Sequence, residues 1–228
     1  MIGSWCSGLL FRLYERLTLS DPAAPADLIY VMAGKMERKA FGLELYQAGL
    51  SPRLVLGVGR FEVSKMYRLA LEDSVVEELI ALRDKTPGDQ RHFFVKLEPS
   101  GVCIEKRLLR RWSTYGEILD LRDWLKATNV RRVMVISTDI HLRRVAVTFD
   151  KVFRGCPVEF CYCPVPASAS SLEKGEWWSR PGDRKYVISE TAKLVAYRFI
   201  LLMPQFLIRR FMRLKDRIRR GTYLSDCK

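Results

Sequence analysis

Residues 132–144 read RVMVISTDIHLRR and contain the clearest strand pattern of the chain. Arg132–Ile136 is a short apolar run of the kind that forms a strand buried on both faces. Three polar residues follow it, and Ile140–Phe153 then has helical spacing. A strand that leads directly into a helix is the repeating unit of a parallel sheet, so this stretch predicts an α/β fold.

The same alternation of strand and helix patterns extends along most of the chain. The other predicted strands are Leu28–Met32, Arg53–Val58, His92–Leu97 and Pro157–Tyr162. The other predicted helices are Met36–Ala48, Phe61–Arg83, Thr114–Ala127 and a helix from about Tyr186. Alternating strands and helices predict a mainly parallel sheet of about five strands with helices on both faces.

Length and cysteine content favour one domain in a reducing compartment. The 228 residues fit an α/β domain over 27–203, with an appended helix in 1–26 and a basic tail in 204–228. Six cysteines occur without a cleavable signal peptide, which predicts free thiols and a cytoplasmic location. Cys161 and Cys163 alternate along a strand, and no second ligand pair has zinc-like spacing, so we expect no metal. No segment reaches the roughly 20 apolar residues that a membrane span needs.

The charge of the chain is strongly positive. Lys and Arg total 39 against 26 Asp and Glu, which gives a formal net charge of +13. Much of the surplus lies between Arg209 and Arg220, so the body of the protein is less basic than the total suggests. An excess of positive charge favours anionic partners, which include phosphorylated metabolites, nucleic acid and acidic membrane surfaces.

Polar and glycine-containing segments lie near the carboxyl ends of the predicted strands, where open α/β sheets bind ligands. Gly34 lets backbone amides approach an anion at a helix start, where the helix dipole already favours negative charge. His141 and Arg144 are three residues apart and share one helix face. We therefore expect a single positively biased cradle. Its candidate residues are Gly34, Lys35, Arg38, Gly57, Gly59, Arg60, Thr114, Glu117, Ser137, Thr138, His141 and Arg144.

Some of these candidates also have a purely structural interpretation. Thr114 and Glu117 have the spacing of a capping box at a helix N-terminus. His141 stands near a helix start, where a histidine can also cap the helix or fill space. Both interpretations stay open from the sequence alone. His92, the other histidine, begins a predicted strand after a loop and is assigned no role.

Several segments together resemble the YdcF-like family, which includes the SanA and ElyC proteins. Val135–Arg144 is similar to the family's strand-Thr-Ser-x-x-His-x-x-Arg signature, and Ser113–Glu117 resembles its Asn/Ser-Thr-x-x-Glu segment. Asp27–Gly59 resembles the opening of the family, a strand, a glycine loop, an arginine in the helix and a second strand. Glu190 with Tyr197 is similar to its closing helix.

The resemblance covers residues 27–199 and implies a Rossmann-like three-layer sandwich with a polar pocket at the strand ends. By match, the family's pocket positions fall on Gly34, Arg38, Gly57, Gly59, Thr114, Glu117, Thr138, His141 and Arg144. The resemblance also implies a link to bacterial envelope and lipid-carrier metabolism, and a nucleotide-like ligand such as S-adenosylmethionine. Two positions depart from the family: Ala33–Lys35 is less glycine-rich than the usual first loop, and Gly116 replaces a bulkier or polar residue.

The C-terminal tail has the pattern of a basic amphipathic helix. Leu207, Phe211, Leu214 and Ile218 form one apolar stripe, and arginines fill most of the other positions. This pattern is typical of a helix lying on an anionic membrane, here peripherally on the inner membrane. A terminal helix docked on its own domain has the same periodicity, so both alternatives stay open. Nucleic acid is a less favoured partner, because the sequence contains no known recognition motif.

Two functions are consistent with these patterns. In the first, the protein is an enzyme, a hydrolase or transferase that acts on a phosphorylated or nucleotide-like small molecule. Arg38 and Arg144 would hold its anionic groups, and His141 would be the general acid/base with Glu117 orienting it or serving as partner base. In the second, the protein is a non-catalytic module that binds such a ligand at a membrane surface and regulates a partner.

Overall fold

A computed structural model of the protein describes residues 4–59, 61–107, 114–204, 206–208 and 210. Six strands in these ranges form one sheet. They are β1 Leu28–Val31, β2 Leu54–Gly59, β3 His92–Glu98, β4 Gly101–Lys106, β5 Arg132–Ser137 and β6 Glu159–Pro164. The described α-helices are α1 Ser4–Leu17, α2 Met36–Gln47, α3 Asp73–Asp84, α4 Thr114–Leu125, α5 Asp139–Val152 and α6 Pro181–Leu202. Short 3₁₀ helices span Val63–Arg68, Gly88–Gln90 and Ala167–Ala169.

The sheet is mixed, with the strand order β4-β3-β2-β1-β5-β6. The four strands β2, β1, β5 and β6 run parallel, whereas β3 pairs antiparallel with both β2 and β4. The α/β class, the flanking helices and the five predicted strands are present. The expected strand count is one too low, because β4 carries only a few apolar residues and lies half-exposed at the sheet edge.

A tight hairpin explains the reversal of direction at β3. Glu98 of β3 pairs with Gly101 of β4, so only Pro99 and Ser100 connect the two strands. Two residues are too few for the crossover that parallel neighbours require, so β3 and β4 must be antiparallel. The reversal has a consequence for the site. The amino-terminal end of β3, at His92, lies at the same edge of the sheet as the carboxyl end of β2, at Gly59.

The central strands are buried on both faces, and their alternate side chains enter two separate cores. Leu28 and Tyr30 of β1 belong to the core covered by α4 and α5. Ile29 and Val31 belong to the opposite core, which α2 and α3 cover. Successive residues of a strand point to opposite faces of the sheet, so these strands pack against helices on both faces. The loops at the carboxyl ends of β1, β2 and β5 are thereby held at fixed positions.

The two terminal helices also pack on this framework. Tyr14 and Leu17 of α1 form a third core with Ile140 of α5 and Val187 of α6. The Tyr14 hydroxyl donates to the Asp139 carboxylate, which fixes α1 against the start of α5. The helix predicted from about Tyr186 begins earlier, at residue 181, with proline at its start.

The C-terminal tail is described only at its beginning. Leu207 is helical and partly exposed, and Ile208 is buried in the α4–α5 core. Phe211, Leu214 and Ile218, which complete the predicted amphipathic stripe, lie outside the described residues. Among the helices that the structure describes, none is long and apolar enough to cross a membrane.

Close packing of α2 on β1 gives a test of the fold. A β-carbon added at Gly42 would overlap Val31 Cγ2, a stiff side chain in the core. We expect Gly42→Ala to lower the free energy of unfolding by about 1–3 kcal/mol in urea denaturation, because an extra carbon in a filled core forces side chains and backbone out of their preferred conformations. Gly8→Ala is the matched control, since nothing lies within 4 Å of its added carbon. That substitution should raise stability by about 0.4–1 kcal/mol. Equal effects at the two positions would contradict the packing of α2.

Candidate functional site

A cavity of about 360 Å³ opens at the sheet edge where β1, β2 and β5 end. The loops after β1 and β2 contribute to its wall, together with the start of β3 and residues from α2, α4, α5 and α6. Its volume is in the range of small-molecule sites, about 300–1,000 Å³. The lining residues are Ala33, Gly34, Lys35, Arg38, Gly59, Phe61, Glu62, His92, Thr114, Glu117, His141, Arg144, Tyr186 and Glu190.

Arg38 joins the loop after β1 to the loop after β5. Its Nη1 donates to the Ala33 carbonyl oxygen at 2.7 Å, and its Nη2 donates to Thr138 Oγ1 at 2.9 Å. Gly34, between the strand and this helix, has a φ of +133°, a conformation that side-chain-bearing residues rarely adopt. Because Arg38 is buried and two of its nitrogens bond to protein oxygens, it shapes the two loops as well as contributing charge.

Glu117 holds the same first loop from the other side. Its Oε1 accepts hydrogen bonds from the Ala33 amide at 2.7 Å and from the Tyr30 hydroxyl at 3.1 Å. Gly57 makes this approach possible, since a β-carbon there would lie 2.8 Å from Glu117 Oε1 and 3.0 Å from the Val31 carbonyl oxygen. These bonds tie Glu117 to β1 rather than to the start of its own helix. Burial raises the pKa of Glu117 to about 7, with the nearby Glu62 carboxylate adding to the shift.

His141 is held between two hydroxyl groups. Its Nδ1 lies 2.6 Å from Ser137 Oγ, and its Nε2 lies 3.4 Å from Thr114 Oγ1. Burial lowers the pKa of His141 well below its usual value, and the cationic Arg38 and Arg144 lower it further. The imidazole is therefore neutral at neutral pH. The sequence suggested Glu117 as the group that orients His141, but the side chain bonded to Nδ1 is Ser137.

Arg144 links α5 to the two helices beside it. Its Nε and Nη2 donate to Glu190 Oε2 on α6 at 3.1 and 2.9 Å, and its Nη1 donates to Thr114 Oγ1 on α4. The guanidinium also lies over the Tyr197 ring, 5.1 Å from its centroid. All of these polar groups are buried, so the ion pair is shielded from solvent screening.

The donors and acceptors around Thr114 fix its hydroxyl proton. Arg144 can only donate, so Thr114 Oγ1 accepts that hydrogen bond and directs its own hydrogen elsewhere. The nearest acceptor described is His141 Nε2. His141 would then carry its proton on Nδ1 and donate it to Ser137 Oγ. The three groups thus form a directed chain from Thr114 through His141 to Ser137.

The charges on the described wall nearly balance, whereas the sequence predicts a positively biased cradle that includes Arg60, a residue outside the described ranges. Three cationic side chains and three carboxyl groups line the cavity, namely Lys35, Arg38, Arg144, Glu62, Glu117 and Glu190. The formal charges of these six groups cancel when all are ionised, and they leave one positive charge when Glu117 is protonated. Burial makes this second state accessible near neutral pH. The described part of the wall is therefore close to neutral.

Most of the predicted residues meet at this cavity, either on its wall or behind it. Ser137, Thr138 and Gly57 are not on the wall, but they support His141, Arg38 and Glu117. Lys35 lies on the wall, where its Nζ donates to Ser171 Oγ at 2.7 Å. Arg60 lies outside the described residues. In the described part of the chain, no cluster of three or more His, Cys, Asp or Glu could hold a metal ion.

Sequence reasoning missed part of the wall, chiefly His92, Phe61, Glu62 and Tyr186. The sequence assigns His92 no role because it lies at the start of a predicted strand. In a parallel sheet, strand starts lie at the edge of the sheet opposite the carboxyl ends where the site is expected. The proline and serine between β3 and β4 were the one signal of a hairpin that would have reversed its direction. Tyr186 and Glu190 are four residues apart, but nothing in the sequence places that helix over the cavity.

The chain matches no protein-family model, no curated protein and no solved structure. The YdcF-like resemblance therefore stays a prediction. A function has to be inferred from the contacts, burial and charge of the cavity itself.

The raised pKa of Glu117 gives a test of this geometry. Stability from the buried neutral acid is present below about pH 4.5 and is lost as pH rises through about 7. Glu117→Gln keeps an acceptor for Ala33 but does not ionise. Relative to wild type, we expect the variant to gain about 3 kcal/mol of unfolding free energy between pH 5 and pH 8.

Urea denaturation at the two pH values measures this gain. Glu77→Gln, at an exposed position on α3, is the control and should gain nothing. A Glu117→Gln variant that follows the wild-type pH dependence would show that the Glu117 carboxyl is ordinary and solvated.

Proposed function

We propose that the protein is an enzyme that binds a phosphorylated or nucleotide-like small molecule and uses His141 as a general base. The observation that carries this proposal is the neutral, buried imidazole on the wall of the cavity, oriented by Ser137 and facing Thr114. Its place on the cavity wall distinguishes His141 from a histidine that only fills space in the core. The proposal also includes a relationship to the YdcF-like family, based on the likeness of Val135–Arg144 to its signature. It further includes a Rossmann-like topology for the parallel strands β2, β1, β5 and β6.

The anionic part of the ligand would bind where α2 begins. Lys35 precedes the helix without a side-chain hydrogen bond to cap it, and both Gly34 and Lys35 line the cavity. Helix N-termini carry unpaired amides and a favourable dipole, so they bind phosphate well. The Lys35 ammonium adds one charge on the wall, partly offset by the Glu37 carboxylate at 3.5 Å. Arg144 adds a second, partly offset by Glu190.

His141 and Glu117 suit the two proton transfers of a displacement at phosphorus. The attacking hydroxyl would displace the Thr114 hydroxyl from His141 Nε2, and Nε2 would take its proton while the new P–O bond forms. The old P–O bond breaks, and the leaving oxygen would take a proton from Glu117, whose pKa of about 7 keeps it partly protonated at neutral pH. An acid and a base whose pKa values are set by burial rather than by charge are typical of such pairs. The reaction would be hydrolysis or transfer, according to the attacking hydroxyl.

A second candidate is a non-catalytic module that binds a ligand such as S-adenosylmethionine at a membrane surface. The near balance of charges on the wall favours it, because such a ligand carries charges of both signs. A row of exposed apolar residues on α6, Ile188, Val195, Phe199 and Leu202, provides a surface for the membrane. The cytoplasmic location and the peripheral contact through residues 207–218 belong to the proposal in both cases.

Incubation with a panel of phosphorylated metabolites tests the proposal. The panel would contain nucleoside phosphates, sugar phosphates, polyprenyl phosphates and S-adenosylmethionine, and mass spectrometry would follow their consumption. We expect wild type to convert one class and His141→Gln to lower its turnover about 10²–10⁴-fold, the contribution of a general base. Lys126→Ala, at an exposed position just after the end of α4, is the control and should behave as wild type.

Thermal melts on the same samples separate the two candidates. Stabilisation of the protein without consumption of the compound would favour the non-catalytic module. Full activity in a folded His141→Gln variant would remove the general base from the mechanism. Neither stabilisation nor consumption by any phosphorylated compound would overturn the proposed ligand class.

A further inference from the structure

His92 lies on the cavity wall, and among the described residues neither of its ring nitrogens has a hydrogen-bond partner. The residue is 1% exposed, and both nitrogens are buried. Leaving a buried polar atom unpaired costs about 1–3 kcal/mol, so such atoms are rare in folded proteins. A histidine kept in this state at the edge of a cavity is suited to bonding with a bound ligand.

The imidazole of His92 is neutral and lies among paired charges. Burial lowers the pKa of His92 to about 3, and the cations Lys39 and Arg107 contribute to the shift. Both cations are paired with carboxylates, Lys39 with Glu62 and Arg107 with Glu105, so the charges around His92 nearly balance. A neutral imidazole offers one donor and one acceptor, so its partner is a neutral group with directed hydrogen bonds.

An aromatic side chain lies on the wall of the same cavity. Phe61 follows β2, lines the cavity and leaves 69% of its surface exposed. Behind His92, the Phe94 ring packs edge-on at 5.6 Å and fixes the imidazole plane. An exposed aromatic ring offers a face on which a planar heterocycle can stack.

We infer that the His92 and Phe61 side of the cavity is a subsite for a nucleobase. His92 would bond to the edge of the base, and Phe61 would stack on its face. The inference rests on the proposed function, since the phosphate of the same ligand would bind at Gly34 and Lys35. The ligand class is thereby narrowed from phosphorylated compounds to nucleotides.

Four probes test the subsite: AMP, UMP, ribose 5-phosphate and adenosine. Ribose 5-phosphate has the sugar and phosphate without the base, and adenosine has the base without the phosphate. By titration calorimetry, we expect AMP or UMP to bind wild type about tenfold more tightly than ribose 5-phosphate, the effect of one stacked and bonded base. The His92→Phe and Phe61→Ala variants should bind ribose 5-phosphate as wild type does and lose this difference. His92→Gln, which keeps a donor and an acceptor, should retain part of it.

The outcomes distinguish this inference from the proposed function. Equal affinity for ribose 5-phosphate and both nucleotides would overturn the base subsite and leave the phosphate site standing. Binding of adenosine alone would support the subsite and overturn the phosphate site. No binding by any probe would overturn both. Phe61 is largely exposed, so Phe61→Ala is expected to fold even if His92→Phe does not.

Discussion

The buried guanidinium of Arg144 is the interaction on which the cavity depends. It bonds to Thr114 on α4 and to Glu190 on α6, so three helices keep their relative positions at the site. Desolvating such a pair costs several kcal/mol, and its net contribution to stability is small. Removing one partner, however, leaves the other charge buried and unpaired, which lowers the free energy of unfolding by about 3–5 kcal/mol. The pair therefore acts mainly to specify geometry: it holds Thr114 beside His141 and fixes the direction of the hydroxyl proton.

Burial sets the chemistry of the titratable groups on the cavity wall. Burial is the largest cause of the lowered pKa of His92 and His141 and of the raised pKa of Glu117. In each case the neutral form is favoured, so all three can donate or accept single hydrogen bonds near neutral pH. The same side chains on an open surface would be ionised or freely solvated. The closed packing of the strand-end loops is therefore what turns ordinary residues into candidate catalysts and ligand donors.

Strand and helix patterns in the sequence were sufficient to predict the layers of the fold and one half of the cavity. Short apolar runs such as Arg132–Ile136 mark buried strands, and the residues after them lie at the strand ends by geometry alone. The direction of β3 was not predictable from periodicity, because the two-residue hydrophobic period of a strand is the same whether the strand runs parallel or antiparallel to its neighbour. That ambiguity hid His92. The partners of Arg38 and Arg144 were also hidden, since they come from elements up to 100 residues away in the chain.

Nitrogen-15 NMR of the two histidines tests the central claim most directly, because the chain has only His92 and His141. The claim is that loops and helices bring both imidazoles together at one cavity and bury them there, so that both are neutral. Long-range nitrogen–proton spectra between pH 7.5 and 5.5 should show two neutral rings throughout, with the proton of His141 on Nδ1. A His141 ring that becomes cationic near pH 6.5, or carries its proton on Nε2, would contradict the closed site and the hydrogen-bond chain from Thr114 to Ser137.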